Sequence, residues 1–200
     1  MQLDSYLKAE RCPHCSVDQP NLGVKSSLKT TADNGGNARN WYVYVCGRCG
    51  GVVTASAYSH DNIVREIYPS PLIIDGNLPI KVKAFLQQAI DSTFAPSGSL
   101  MLCASAVDAM LKEKGYKDGS LYKRINQAAE DHLITKDMAE WAHHVRLDAN
   151  DQRHADENAG LPNVDDARKG IDFTKTLADI LFVLPGRINK GLNETKVEPH

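Results

Sequence analysis

The sequence predicts an α+β protein, a small cysteine-bearing β module followed by an all-helical bundle, and three observations carry that prediction. Two Cys-x-x-Cys pairs, CPHC at 12–15 and CGRC at 46–49, sit in a first third rich in glycine and strand-like runs. A boundary segment, YPSPLIIDGNLP, then brings three prolines and a glycine, which suits an extended connector. Beyond it the apolar residues recur with helical period and glycines are few. The chain therefore divides into a β module over 1–68, a connector over 69–79, a helical bundle over 80–192 and a flexible tail over 193–200.

In the β module, WYVYVC and GGVVTASAYS have strand character. The stretch LGVKSSLKTTADNGGNARN has room for an extra hairpin, with Asn34-Gly35-Gly36 as its turn signal. In the second part, Pro79 opens a helix that Pro96 closes. The next helix places Leu100, Cys103, Ala104, Val107, Met110 and Leu111 on one side and stops at Gly115. Ser120 is an N-cap for a third helix, and Thr135 caps a fourth that begins KDMAEWAHHVRLDAN. Asn163, followed by Asp165 and Asp166, starts a long last helix expected to end at Pro185.

Two hundred residues with 42% apolar content can bury a substantial core. A formal charge of −2 gives no global attraction to nucleic-acid backbones, so any such contact has to come from a local patch. The start, MQLDSYLKAE, lacks the basic and apolar regions of a secretory signal, and no run of about 18 apolar residues occurs. The expectation is a soluble, cytoplasmic protein with no membrane contact. In that reducing compartment, paired cysteines serve metals or redox chemistry rather than structural disulfides.

Two Cys-x-x-Cys pairs, each on a tight turn, can supply four thiolates in a tetrahedron around zinc, so the expected ligands are Cys12, Cys15, Cys46 and Cys49. Gly47 and Gly50 suit turns in which backbone amides approach the sulfurs. The alternative, a pair of redox motifs, belongs at a strand-to-helix junction in a βαβ context that this pattern lacks. Four protein ligands leave no open position, so the Zn2+ is expected to be structural. His14 is expected to be exposed rather than coordinating, and Cys103, alone on an apolar helix face, to be a small buried hydrophobe. Trp41, Tyr42, Tyr44 and Tyr58, near Lys25, Lys29, Arg39 and Arg48, offer stacking and charge to a single-stranded nucleic acid. Residues 1–70 nevertheless hold seven basic and six acidic side chains, and aromatic residues alternating in a strand also fill small cores.

On the fourth helix, His143, Arg146, Asn150 and His154 fall within an arc of roughly 80°. Met138, Trp141, Ala142, Val145 and Ala149 make the opposite, core-facing side. Any amphipathic helix has such a polar stripe. The residue types also suit RNA cleavage without metal: His154 as general acid or base, Arg146 on the scissile phosphate, Asn150 holding the imidazole or the 2′-hydroxyl. A stripe on a convex surface makes a poor pocket, so that chemistry requires a second copy facing it across a twofold interface.

The order of a zinc ribbon, a YP connector, a helix ending LKEKG, then SLYKRINQAAEDHLIT, MAEWAHHVR, AN and RHADE resembles family 4145 of the domains of unknown function. That family of bacteria and their phages is grouped with the HEPN superfamily of helical bundles. The resemblance implies four or five helices that often dimerise, and it places the family motif on Arg146, Asn150 and His154. Some HEPN proteins are metal-independent endoribonucleases in toxin and phage-defence systems, while others bind partners or nucleic acid. Here Ala149 stands where the family usually has Gly, and Arg153 where it usually has Ala. Seven residues separate Arg146 from His154, more than in active relatives, and Ser105 and Asp108 replace an Arg and a Glu of the earlier helix. A structural use is equally open, with Arg146 paired to Asp108 and Asn150 and His154 bridging neighbouring segments.

Three functions follow as expectations. The first is a nonenzymatic module that binds RNA or a protein partner, in phage–host conflict, with the ribbon as recognition element. The second is a metal-independent endoribonuclease using Arg146 and His154 across a homodimer formed through the bundle. The third is an accessory subunit whose polar stripe contacts a partner protein.

Overall fold

The computed structural model describes residues 1–70, 74–154 and 160–194. It divides into two compact units, Met1–Ile73 and Ile74–His200.

The first unit is built on an antiparallel meander: β1 (Leu22–Thr30), β2 (Arg39–Cys46), β3 (Val52–Tyr58) and β4 (Val64–Tyr68), in that spatial order. Asn34-Gly35-Gly36 lies in the β1–β2 connection, with Gly35 at φ +76°, a conformation that costs glycine little. The period of two sends Tyr44, Cys46, Val53, Ala55 and Ala57 to one face, where Leu3, Leu7 and Leu22 complete a small core. Bulges between Val24 and Ser26 and between Ser56 and Ala57 interrupt the register. The strand β4 has no counterpart among the expected elements. It is a short run whose second residue, Arg65, is the extra one at the bulge.

The second unit is helical. Its elements are α1 (Ile80–Asp91), α2 (Pro96–Glu113), α3 (Leu121–Glu130), α4 (Lys136–His154) and α5 (Val164–Ala178), which continues through a π turn at Asp179–Val183 into α6 (Leu184–Glu194). The expected apolar face of α2 is buried throughout, from Leu100 to Leu111. Gly115, at φ +101°, ends α2: its amide bonds Lys112 O and the Tyr116 amide bonds Leu111 O, a paired closure that satisfies two terminal carbonyls. Ser120 accepts from the Lys123 amide and Thr135 from the Met138 amide. At the head of α5, Asn163 and Asp166 form a reciprocal capping box. Gly170 lets α5 approach α2 closely, since a Cβ there would lie 2.7 Å from Leu100 Cδ2.

Three expectations are corrected. Pro96 does more than close α1, which already stops at Asp91; it occupies the first turn of α2, where a missing amide costs nothing. Pro185 does not end the last helix. The Leu184 amide bonds Asp179 O five residues back, and this wider turn just before the proline accommodates a ring that would otherwise crowd the carbonyl four residues earlier. Trp141 lies against Phe173 at 4.7 Å between ring centroids yet remains 44% exposed, so it borders the core rather than filling it. Among the described residues, no helix is long and apolar enough to cross a membrane.

Candidate metal centre and the Arg146 cavity

The four cysteines predicted as ligands converge. One thiol from each of Cys12, Cys15, Cys46 and Cys49 lies within 4.8 Å of all the others, with Cys12 Sγ 3.9 Å from Cys49 Sγ. Zinc–sulfur bonds of about 2.3 Å in a tetrahedron put sulfurs about 3.8 Å apart, so the cluster fits a divalent metal with little adjustment. Each pair turns back on itself: the Ser16 amide bonds Cys12 O, and the Gly50 amide bonds Cys46 O. Amides also point at sulfur, from His14 to Cys12 and from Gly51 to Cys49, both at 3.4 Å. Burial pushes the Cys12 thiol up to about 12. At Cys46, burial is outweighed by the amides of Cys49 and Arg48, which bring the thiol down to about 7. A dication bound there would allow four such crowded groups to be thiolates together.

The glycine reasoning needs adjustment. Gly50 has the left-handed conformation, φ +72°, but the equivalent place after the first pair is held by Ser16 at φ +54°. Gly47 makes only ordinary contacts, whereas a Cβ on Gly51 would lie 2.4 Å from the His14 ring. His14 packs across Gly51 and its Nε2 lies 2.7 Å from Val52 O, which ties the two cysteine turns together without using the imidazole as a ligand. The doubled glycine was the sequence signal for this contact, but the crossing ring was not legible.

The pleat separates the aromatic residues expected to act together. Tyr44 is fully buried in the sheet core and its hydroxyl donates to Asp4 O at 2.8 Å, and Tyr42 lies beside it. Trp41 and Tyr58 project from the opposite face, where Tyr68 joins Trp41 at 6.4 Å between ring centroids. Arg39 and Arg65 both approach the Tyr58 ring, but each already holds a carboxylate, Glu66 at 2.9 Å and Asp61 at 2.6 Å. This face offers aromatic surface with its neighbouring arginines neutralised.

The helical unit contains a cavity of about 910 Å³ walled by α1, α2, α3 and α4. Arg146 and Asn150 line it together with Lys81, Ser105, Asp108 and Tyr122, so this part of the stripe faces a concavity and not a convex surface. Asp108 does not pair with Arg146. It takes Nε and Nη2 of Arg124 at 2.9 and 2.6 Å and Lys112 Nζ at 2.6 Å. Arg124, only 8% exposed, also donates to the carbonyls of Lys117 and Gly119, so it fastens the α2–α3 loop to α2. Sequence reasoning missed this arginine; its place on the buried side of α3 was the available signal.

Arg146 is left with no ion pair and no hydrogen-bond acceptor among the described residues. Its Nε is buried without a partner, and its guanidinium carbon lies 5.4 Å from the centroid of the Tyr122 ring. His143 packs on the same tyrosine at 4.8 Å between centroids, with Nε2 2.8 Å from Asn126 Oδ1 and Nδ1 buried without a partner among the described residues. Burial, followed by the charges of Arg146 and His144, pushes the His143 imidazole below its ordinary value. Cys103 is fully buried, and burial raises its thiol to about 11, as befits a packing residue. His154 closes α4, and its side chain lies outside the described residues.

One unit that is a sheet carrying a four-cysteine cluster and another that is a helical bundle with a cationic cavity define the class of protein that the fold and sites allow. Residues 86–195 match the family model described as Domain of unknown function (DUF4145), and the chain belongs to that family. Neither the curated proteins nor the solved structures contain a match to it.

Proposed function

We propose that the protein is an RNA-interaction module in which a zinc ribbon heads a HEPN-like helical bundle. The four cysteines hold a structural Zn2+ that organises the first unit, and the phosphate backbone of RNA enters the cavity at Arg146. The observation that carries this reading is the Arg146 guanidinium: partly buried, resting on Tyr122 and lacking any anionic partner among the described residues. Taking a cation out of water without a counterion is costly, and a phosphate supplies the missing charge and acceptors. Asn150 and Lys81 line the same cavity and extend the polar contact. The aromatic outer face of the sheet is secondary, because its arginines are already paired. A role in phage–host conflict accords with the family resemblance.

The test is RNA binding by fluorescence anisotropy over a range of salt. Arg146→Ala is expected to weaken binding roughly tenfold and to lower the salt slope by about one. Unchanged affinity and slope would remove the cavity from RNA binding.

A second reading, a metal-independent endoribonuclease, is favoured by the presence of Arg146 and Asn150 on one cavity wall, about two turns and one turn before His154 on the same helix. In that reading His154 moves the proton, Arg146 stabilises the phosphorane charge, and a second copy completes the site. Wild type and His154→Ala are compared for RNA cleavage in EDTA, with dimerisation followed by light scattering. Cleavage lost in a folded dimeric variant establishes the nuclease; no cleavage across varied RNAs leaves the binding module.

A further inference from the structure

The outer face of the sheet carries an apolar track that the RNA reading does not use. Paired positions on neighbouring strands share a face, so Leu28 opposite Trp41, and Tyr68 opposite Thr54, stand on the side away from the sheet core. Leu28 and Tyr68 are each 50% exposed. Trp41 and Tyr68, on the strands either side of β3, hold their rings nearly parallel, at 24° and 6.4 Å between centroids. The indole is fixed in place, because its Nε1–H donates to Thr30 Oγ1 at 3.0 Å. Between the two rings β3 brings only the short side chains of Thr54 and Ser56.

The charges around this track cancel. Glu66 Oε2 accepts from Arg39 at 2.9 Å and from the Ser56 hydroxyl at 3.0 Å, and Asp61 holds Arg65 at 2.6 Å. Tyr58, further along the same face, is already engaged by His60 at 5.6 Å between ring centroids and by both guanidiniums. A single-stranded nucleic acid needs a cationic groove along its backbone, which two paired arginines do not supply. The complementary ligand is therefore uncharged and apolar, and it rests on Trp41, Tyr68 and Leu28.

We infer that this face binds a proline-rich segment of a partner protein in the polyproline II conformation, with proline rings against Trp41 and Tyr68. The track crosses the sheet from β4 to β1, three strand spacings or about 14 Å, the length of about four to five residues of that helix. Backbone chemistry selects the conformation. A polyproline II segment leaves its backbone solvated, so it can lie across a sheet face without losing internal hydrogen bonds. An added strand would need a sheet edge, and an amphipathic helix about 10 Å across would need a groove rather than three side chains on a pleat. Prolines bring apolar rings, no charge and little conformational entropy to lose, which suits a shallow aromatic surface. The half-exposed Tyr68 can donate its hydroxyl to one of the carbonyls that such a segment leaves unbonded. The proposal concerns the first unit and does not depend on RNA being the ligand of the Arg146 cavity.

The test titrates the full chain with a decaproline peptide, read by anisotropy of a labelled peptide and by the indole N–H resonances of Trp41 and Trp141. Saturable binding is expected, with the Trp41 resonance moving and that of Trp141 staying in place. Because the arginines are paired, affinity should change by less than about twofold between low and high salt. Tyr68→Ala, at a half-exposed position, should weaken binding roughly tenfold, whereas Arg146→Ala should leave it unchanged. A Gly-Ser peptide of the same length should not bind. Failure of decaproline to bind, equal binding by the Gly-Ser peptide, a shift of Trp141 without Trp41, or full affinity in Tyr68→Ala would each overturn the proposal. So would displacement of decaproline from this face by a uridine decanucleotide, which would assign the track to RNA.

Discussion

Arg124→Ala is the substitution whose cost follows most directly from the structure. The side chain is 8% exposed and donates to Asp108 through two nitrogens, at 2.9 and 2.6 Å, and to the carbonyls of Lys117 and Gly119. Removing one partner of a buried pair costs about 3–5 kcal/mol. The lower end applies, because Asp108 keeps Lys112 at 2.6 Å and its own side chain is 22% exposed. The two loop carbonyls reach water once released and add little. A loss of about 3 kcal/mol, divided by a urea slope of about 1.5 kcal/mol per molar, moves the unfolding midpoint down by about 2 M. Far-UV ellipticity reports it, since the helices all belong to the second unit. A shift under about 0.3 M would refute the view that Arg124 is a principal fastening of α3. The double-mutant cycle with Asp108→Ala then separates the pair energy from the loop contacts. Tyr122 lies on the first turn of α3, so the same substitution should also loosen the platform under Arg146 and weaken RNA binding.

Two further outcomes are expected. Metal analysis should find one zinc per chain, and a strong chelator should abolish the near-UV signal of Trp41 and Tyr44 while leaving helical ellipticity intact. The reason is that Cys12 and Cys46 are two of the nine buried residues of that small core, so a metal held by them, as proposed, would hold the core together; a chelated protein that keeps its near-UV spectrum would contradict this. Burial, then the nearby Arg146 and His144 charges, holds the His143 imidazole below its ordinary 6.5 in the folded state. The unfolded chain therefore binds that proton more readily, so the stability contribution is complete above 6.5 and is lost as pH falls below it. Urea midpoints measured on either side of that window should drop more in wild type than in His143→Asn, and equal drops would show that this imidazole is not the titrating group.

Much of the local architecture was legible because it rests on local chemistry. The caps at Ser120, Thr135 and Asn163, the stop at Gly115 and the buried face of α2 each depend on residues within a turn or two of one another. The cysteine cluster was legible for a related reason: the short spacing within each pair fixes two sulfurs on one turn, and only the meeting of the turns had to come from the fold. Spacing could not show that His14 crosses Gly51, because that contact joins turns that are distant in sequence.

The sequence by itself determined which helices form, where most of them begin, and which four thiols are available to a metal. Tertiary structure decided what their polar faces meet. The stripe of α4 was visible as a stripe, but only packing of α1, α2 and α3 around it makes a cavity there, gives Asp108 to Arg124 and leaves Arg146 on Tyr122 without a counterion among the described residues. The pleat likewise buried Tyr44 and turned Trp41 outward, and the π turn carried the last helix past Pro185. Helix caps and metal turns are decided within a few residues, whereas a charge finds its partner through whichever distant side chain the fold brings nearest.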